Sequence, residues 1–339
     1  DSIPMLIISG QVKRETCMAT YNIPGLRQLG DQEADIIKMV KGITKYAVLV
    51  TDPFSIRYHL ERALHLATSG RPGPCWLDIP IDVQASMIDP EKLSGYDPVE
   101  DDIHYDLNTL ISQCHEIIVR LKASPRPVLL VGSGVRRAQA LDIFESVKNK
   151  LGIPVILSRT ARDLLDSNDP LYSGRAGVDA DRAGNFVIQN SDTLLVLGCR
   201  LGLRLVSFNW REFARQAFII QVDADAAELV KPTVKADLAI HCDIKMFLEE
   251  LDHQINCSMW GIGRHLDWKT WCKSRLERYP CVLPRHRSAN GPLNPYAFCE
   301  SLSQRLVADD VVACGNGSAF IMMFQAASVK KGQLLFFNS

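Results

Sequence analysis

No apolar run in the chain approaches the roughly 20 residues needed to cross a bilayer, and no basic-then-apolar leader pattern opens it. Charge of one sign is also missing: a formal net charge of −1, with 23% charged residues, leaves no basic excess to hold nucleic acid. The ten cysteines fall in no CxxC pair and no Cys/His run with zinc-like spacing, which argues against a disulfide framework or a structural metal. A reduced, cytoplasmic setting follows from that scatter. Histidines do not cluster, and no Ser/His/Asp order with a nucleophile elbow is present, so nucleophilic hydrolysis has no support. Internal repeats and low-complexity tracts are lacking as well.

What is present is 339 residues, 47% of them hydrophobic, enough for two or three domains with substantial cores. The run at 3–9 reads as a buried strand, followed by the strand-end loop "GQVKRET". Residues 53–69 read as a helix capped by Asp52, with Ile56, Leu60, Ala63, Leu64 and Ala67 on one face. Gly70 ends it, and "CWLDIP" returns as a strand. The acidic, Pro- and Gly-bearing text from about 84 to 106 reads as a linker. Apolar strands at "PVLLVG", "IPVILS", "TLLVLG" and "AFIIQVD" then alternate with helical stretches, among them one marked by Leu141, Phe144, Val147 or Lys148, and Leu151. That alternation predicts a parallel sheet covered on both faces. A second linker is expected over about 253–293, and a third α/β unit begins with a helix near 295–307 and the strand of "DVVACGNGSAF". Because the chain enters and leaves on apolar strands, it reads as the interior of a longer protein.

Three strand-end loops are candidates for ligand binding. Gly132, Ser133 and Gly134 lie between a strand and a helix that carries Arg136 and Arg137, where a backbone can approach a phosphate; a tight turn without ligand explains the same residues. The third glycine of the dinucleotide fingerprint and its acidic partner are missing. Arg200 and Arg204, after another strand, can bind phosphate or carboxylate, or be surface arginines. Gly315, Asn316 and Gly317, after Cys314, can form an anion nest or a plain turn.

Taken together, "DSIPMLIISGQV", "ATSGRPGPCWLDIPIDVQ", "PVLLVGSG" and "GIPVILSRTARDLL" resemble thiamine diphosphate-dependent enzymes of the acetolactate synthase group, in order and over nearly the whole chain. The Gly-Arg-Pro-Gly-Pro-x-x-x-Asp-x-Pro passage at 70–80 is the specific part. The resemblance implies doubly wound parallel-sheet domains: 1–95 the later part of a pyrimidine-binding domain, 96–252 a complete Rossmann-like central domain after the acidic linker, 253–293 a linker, and 294–339 the start of a diphosphate-binding domain. It implies thiamine diphosphate and Mg2+ as cofactors of the whole protein, with FAD in some members. Gln11 and Arg204 would meet substrate. Arg71, Gly132, Ser133, Gly134, Arg200, Cys314, Gly315, Asn316 and Gly317 would meet cofactors, Arg71 and the 132–134 turn on the FAD side.

The reaction implied is decarboxylation of a 2-oxo acid and its joining to a second carbonyl compound, in a homodimer or homotetramer with small-molecule substrates. The family's catalytic glutamate and its magnesium-holding Gly-Asp-Gly motif are not found in the chain, so the chain by itself is expected to be inactive. Two departures touch the acceptor side: Pro80-Ile81-Asp82 replaces the usual Pro-Lys-Asp, and Leu203 stands where an acid precedes the second arginine. They favour a relative acting on a ketosugar or other unusual acceptor. The rivals are a non-catalytic FAD- or ADP-binding module, and a piece that only dimerises.

Overall fold

The apolar runs become strands, and every strand pairing is parallel. The computed structural model describes residues 2–21, 23–258, 260–261, 263–288 and 291–337. They divide into two units, split between His104 and Tyr105. Among the described residues no helix is long and apolar enough to cross a membrane.

The first unit holds a three-stranded sheet in the order β1 (Met5–Gln11), β3 (Pro74–Pro80), β2 (Tyr46–Leu49). Helix α1 (Ile56–Thr68) packs on it through Ala63 and Ala67, against Val50, Cys75 and Leu77. Its approach is set by Asp52, whose carboxylate accepts the Phe54 N–H, with Pro53 in the first turn. Leu64 does not join the stripe: it is 58% exposed. The reason is angular, since it lies about 70° from the line through Ile56, Leu60, Ala63 and Ala67 at 3.6 residues per turn. The Gly-Arg-Pro-Gly-Pro passage closes the helix onto β3: Gly70 takes φ 53°, and the Gly73 N–H donates to Ala67 O at 3.1 Å.

The acidic stretch after β3 is not a free linker. Leu93 and Tyr96 are buried, and Arg62 of α1 makes a two-pronged ion pair with Asp101, at 2.8 and 3.0 Å. Tyr96 Oη donates to the same carboxylate. Composition suggested a solvated tether, but Asp101 has a cationic partner on the helix, Arg62, and Glu100 accepts from Tyr58 Oη, which fastens the segment down.

The second unit contains a six-stranded sheet in the order β6 (Tyr172–Arg175), β5 (Val155–Leu157), β4 (Pro127–Val131), β7 (Thr193–Leu197), β8 (Phe218–Asp223), β9 (Leu238–His241). The chain winds outward in one direction from β4 and then in the other from β7, which makes it doubly wound. Burial on both faces follows from the strand pattern. Leu129, Val131, Leu195 and Leu197 enter one core, while Val128, Leu130, Leu194 and Val196 enter the other. Helices α2 (Leu107–Ala123), α3 (Leu141–Leu151) and α5 (Ile244–Cys257) cover the first face; α4 (Arg182–Asn190) and α6 (Leu266–Arg278) cover the second. On α3 both Val147 and Lys148 are buried, the lysine paired with Asp169 and Glu145.

Helix α6 lies in text that composition assigns to a linker. It is charged on most sides and buries only Trp268 and Cys272, so its apolar stripe is too narrow to stand out. Beyond it, α7 (Pro295–Arg305), β10 (Val311–Cys314), α8 (Ser318–Ala326) and β11 (Leu334–Phe337) build a smaller core around Phe320, Met323, Phe324 and Leu335. Two buried arginines grip the carbonyl end of α8. Arg162 donates to Phe324 O and Ala327 O, and Arg175 to Phe324 O and Gln325 O. Guanidinium groups at that end satisfy otherwise orphaned carbonyls and complement the helix dipole. All ten cysteines are free thiols and seven are buried, consistent with packing roles.

Candidate functional site

In the first unit the carboxyl ends of β1 and β3 place Gln11 beside Asp78. The parallel register sets Ser9 against Asp78 and Gln11 against Pro80. Asp78 is 1% exposed, and its two oxygens take separate donors: Ser9 Oγ at 2.6 Å and Gln11 Nε2 at 2.9 Å. Trp76 Nε1 donates in turn to Ser9 Oγ. Gln11 Nε2 also donates to Ala34 O at 2.7 Å, and Gln11 Oε1 accepts the Val12 N–H at 3.0 Å. Both donors of the Gln11 amide are therefore used, and what it can still offer a ligand is an acceptor lone pair on Oε1. Asp78 is the residue that sequence reasoning missed. Its signal was a lone acid inside an otherwise apolar strand, where burial demands partners.

Asp82, in the departure Pro80-Ile81-Asp82, is ion-paired with Arg14 at 2.6 Å and accepts its backbone N–H. The Arg14 guanidinium holds that carboxyl below its usual range. Arg71 is half-buried and donates from Nε to Ser2 Oγ at 3.0 Å.

The 132–134 turn of the second unit is shaped by its neighbour. The Gly132 N–H donates to Leu197 O and the Gly134 N–H to Gly198 O, at 2.9 and 3.0 Å. A Cβ on Gly132 would stand 2.1 Å from Gly198 O, and one on Gly134 would stand 2.6 Å from Gly198 Cα. These glycines let the loops after β4 and β7 interlock, and both of their N–H groups are spent doing so. Ser133 is half-buried between them. Arg136, which follows, forms a two-pronged pair with Asp163 at 3.0 Å. The turn thus has a complete account without a dinucleotide, and no step is assigned to a flavin.

Arg200 and Arg204 go to different carboxylates. Arg200 is exposed and stands 3.5 Å from Glu228, which also pairs with Lys231 at 2.6 Å. Arg204, in the short helix Leu203–Val206, donates to Asp179 Oδ2 at 3.2 Å. Arg159, from the turn after β5, approaches the same oxygen at 3.6 Å. An acid is thus restored to Arg204 from the loop after β6, although residue 203 is leucine.

At the end of β10, Cys314 is half-buried and burial pushes its thiol up. Gly315, Asn316 and Gly317 are exposed, and a Cβ on either glycine would meet nothing within 4 Å. Gly317, at φ 78° and ψ −139°, adopts a backbone that suits glycine, and α8 begins directly after it without a side-chain cap. Asn316 Oδ1 accepts the Gly317 N–H at 2.7 Å. An open glycine turn that leads into an uncapped helix N-terminus suits a diphosphate, because oriented N–H groups there meet negative charge. Among the described residues no group of three or more His, Cys, Asp or Glu side chains is placed to hold a metal ion.

Residues 114–251 match the family model of the thiamine pyrophosphate enzyme central domain. Over 340 aligned residues the chain is 32% identical to the acetolactate synthase large subunit of Lactococcus lactis subsp. lactis, an alignment that covers 99% of this chain and 55% of that protein. It is 30% identical to the acetolactate synthase large subunit of Corynebacterium glutamicum, covering 94% and 48% respectively. A probable acetolactate synthase large subunit of Methanocaldococcus jannaschii is likewise 30% identical, over 90% of this chain and 49% of its own length. The chain spans about half the length of these curated relatives. With a central-domain match inside a likeness that runs along nearly its whole length, the chain is similar to the thiamine pyrophosphate-dependent enzymes of the acetolactate synthase group.

Proposed function

We propose that the protein carrying this chain is a carboligase, joining the decarboxylated part of a 2-oxo acid such as pyruvate to a second carbonyl compound. The observation that carries the reading is the open 315–317 turn at the N-terminus of α8, in a chain similar to this family. When bound, thiamine diphosphate supplies the electron sink for both halves of that reaction. The N–H groups of Gly315, Asn316 and the first turn of α8 would hold its diphosphate, the Gly317 N–H being taken by Asn316 Oδ1. Magnesium is expected with it in the whole protein, from donors other than a cluster in the described residues.

Gln11 acts as a fixed acceptor: Asp78, Ala34 O and the Val12 N–H hold its amide in one orientation, so Oε1 receives a donor from cofactor or substrate. Arg204 orients the acceptor through its exposed guanidinium. Ile81 and Leu203 set this acceptor apart from that of a branched-chain synthase, and assembly as a homodimer or homotetramer completes the proposal.

The test of the acceptor role is Arg204→Ala in the full-length protein. Loss of one charge-assisted hydrogen bond is expected to raise the acceptor KM about tenfold or more. An unchanged acceptor KM removes Arg204 from the site. The competing reading, a flavin- or ADP-holding module without catalysis, gains nothing from the 132–134 turn, whose glycine N–H groups are occupied.

A further inference from the structure

Consecutive residues after β5 hold the smaller core against the six-stranded sheet. Arg162 donates from Nε to Phe324 O at 2.9 Å and from Nη2 to Ala327 O, both at the carbonyl end of α8. Asp163 accepts the Leu335 N–H of β11 at 2.9 Å and pairs with Arg136, which follows the 132–134 turn. Ser167 exchanges two hydrogen bonds with Val329: its N–H donates to Val329 O at 2.9 Å, and its Oγ accepts the Val329 N–H at 2.8 Å. Arg175, from β6, adds donors to Phe324 O and Gln325 O.

Helix α8 needs such a hold. It has nine residues, fewer than the roughly 12–15 at which an isolated helix is even marginal in water. The two arginines at its carbonyl end are not equivalent. Arg175 has Asp181 as its countercharge at 2.9 Å. Arg162 is 1% exposed, pairs with no carboxylate among the described residues, and has an Nη1 that is buried and makes no hydrogen bond. Burial first, and Arg175 second, push its guanidinium down. The acceptors it does have are carbonyl oxygens, so the negative end of the α8 dipole compensates its charge. At the positive end of the same dipole lies the uncapped first turn beside Gly317. A cation at one end and an anion at the other each favour the helix in this place, so the two are coupled and the coupling is reciprocal.

We propose that Arg162 is a positioning residue for diphosphate binding: by anchoring the carbonyl end of α8 to the turn after β5, it holds the N–H groups at the other end in the orientation a diphosphate needs. Arg162 itself touches no ligand. The inference rests on the assignment of the 315–317 turn to thiamine diphosphate. The anchor is read from amide exchange and does not depend on that assignment.

The experiment compares the full-length protein with its Arg162→Met and Arg162→Lys variants. Val147→Ala is the control for general destabilisation, since it opens the core on the first face of the sheet and not the core around α8. Thiamine diphosphate is titrated calorimetrically in the presence of magnesium, and amide exchange of residues 318–326 is followed with and without it. Arg162→Met is expected to weaken binding about tenfold and to speed exchange in α8 by a similar factor. Arg162→Lys keeps the charge but not the two-pronged reach, and should lose affinity several-fold; it carries the test if the methionine variant does not fold. Val147→Ala should bind as wild type does. Wild-type affinity in the folded Arg162 variants, or an equal loss in Val147→Ala, overturns the positioning role. Failure of the wild type to bind thiamine diphosphate sinks the assignment of the turn instead, and exchange then decides the anchor: wild-type rates across α8 in the Arg162 variants overturn it.

Discussion

Replacing Asp181 by alanine is expected to destabilise the second unit by about 3–5 kcal/mol, the cost of stripping the partner from a buried ion pair. The Asp181 carboxylate accepts Arg175 Nε at 2.9 Å, the Arg175 backbone N–H at 3.1 Å and the Gly184 N–H at 2.6 Å, the last as the N-cap of α4. Without it Arg175 keeps its carbonyl acceptors on α8 but loses its countercharge, and α4 loses its cap. No rearrangement of α4 is cheap, because Gly184 packs so closely that a Cβ there would lie 2.1 Å from Arg175 O. Urea denaturation measures the loss, and the Arg175→Leu/Asp181→Ala pair should recover part of it. A single-variant loss under about 1 kcal/mol would mean that water reaches this pair and that it behaves as a surface one. The effect runs along α8: Arg175 grips its carbonyl end, and the open 315–317 turn stands at its other end.

The second large effect is expected at Asp78. Asp78→Ala removes the shared acceptor of Ser9 and Gln11 from the interior of the first unit. Two hydrogen bonds to a charged group, at about 1.5–3 kcal/mol each, disappear together. The Gln11 amide is then free to turn. With Gln11 orienting cofactor or substrate as proposed, its misplacement by about 1 Å should lower kcat/KM of the full-length protein about 100-fold. Asp78→Asn should lie between, because an amide offers one acceptor where the carboxylate offered two. Full activity in a folded Asp78→Ala protein would show that Gln11 does not take its orientation from this carboxylate.

Different physics made parts of this molecule legible and left other parts hidden. Strands β4 and β7 are buried on both faces, so each reads as an unbroken apolar run, and alternation with α3 leads to the doubly wound sheet. Helix α6 escaped because two buried residues in thirteen leave no periodic stripe. The segment around Tyr96 and Asp101 escaped because its order comes from Arg62, 39 residues earlier in the chain. The glycines at 132 and 134 were found, but a missing Cβ looks the same whether a phosphate or another loop occupies the space; only the position of Gly198 distinguishes them. Arg204 was legible as an arginine at a strand end. Its partners Arg159 and Asp179 were not, since three separate strand-end loops bring them together.

Carboligation is tested most directly by giving the full-length protein thiamine diphosphate, magnesium and pyruvate labelled at the carboxyl carbon, with and without a second carbonyl compound. Labelled carbon dioxide and a new carbon–carbon product should then form together, in equal amounts and only when thiamine diphosphate is present. Carbon dioxide released with free aldehyde and no ligated product, or no binding of thiamine diphosphate at all, would contradict it.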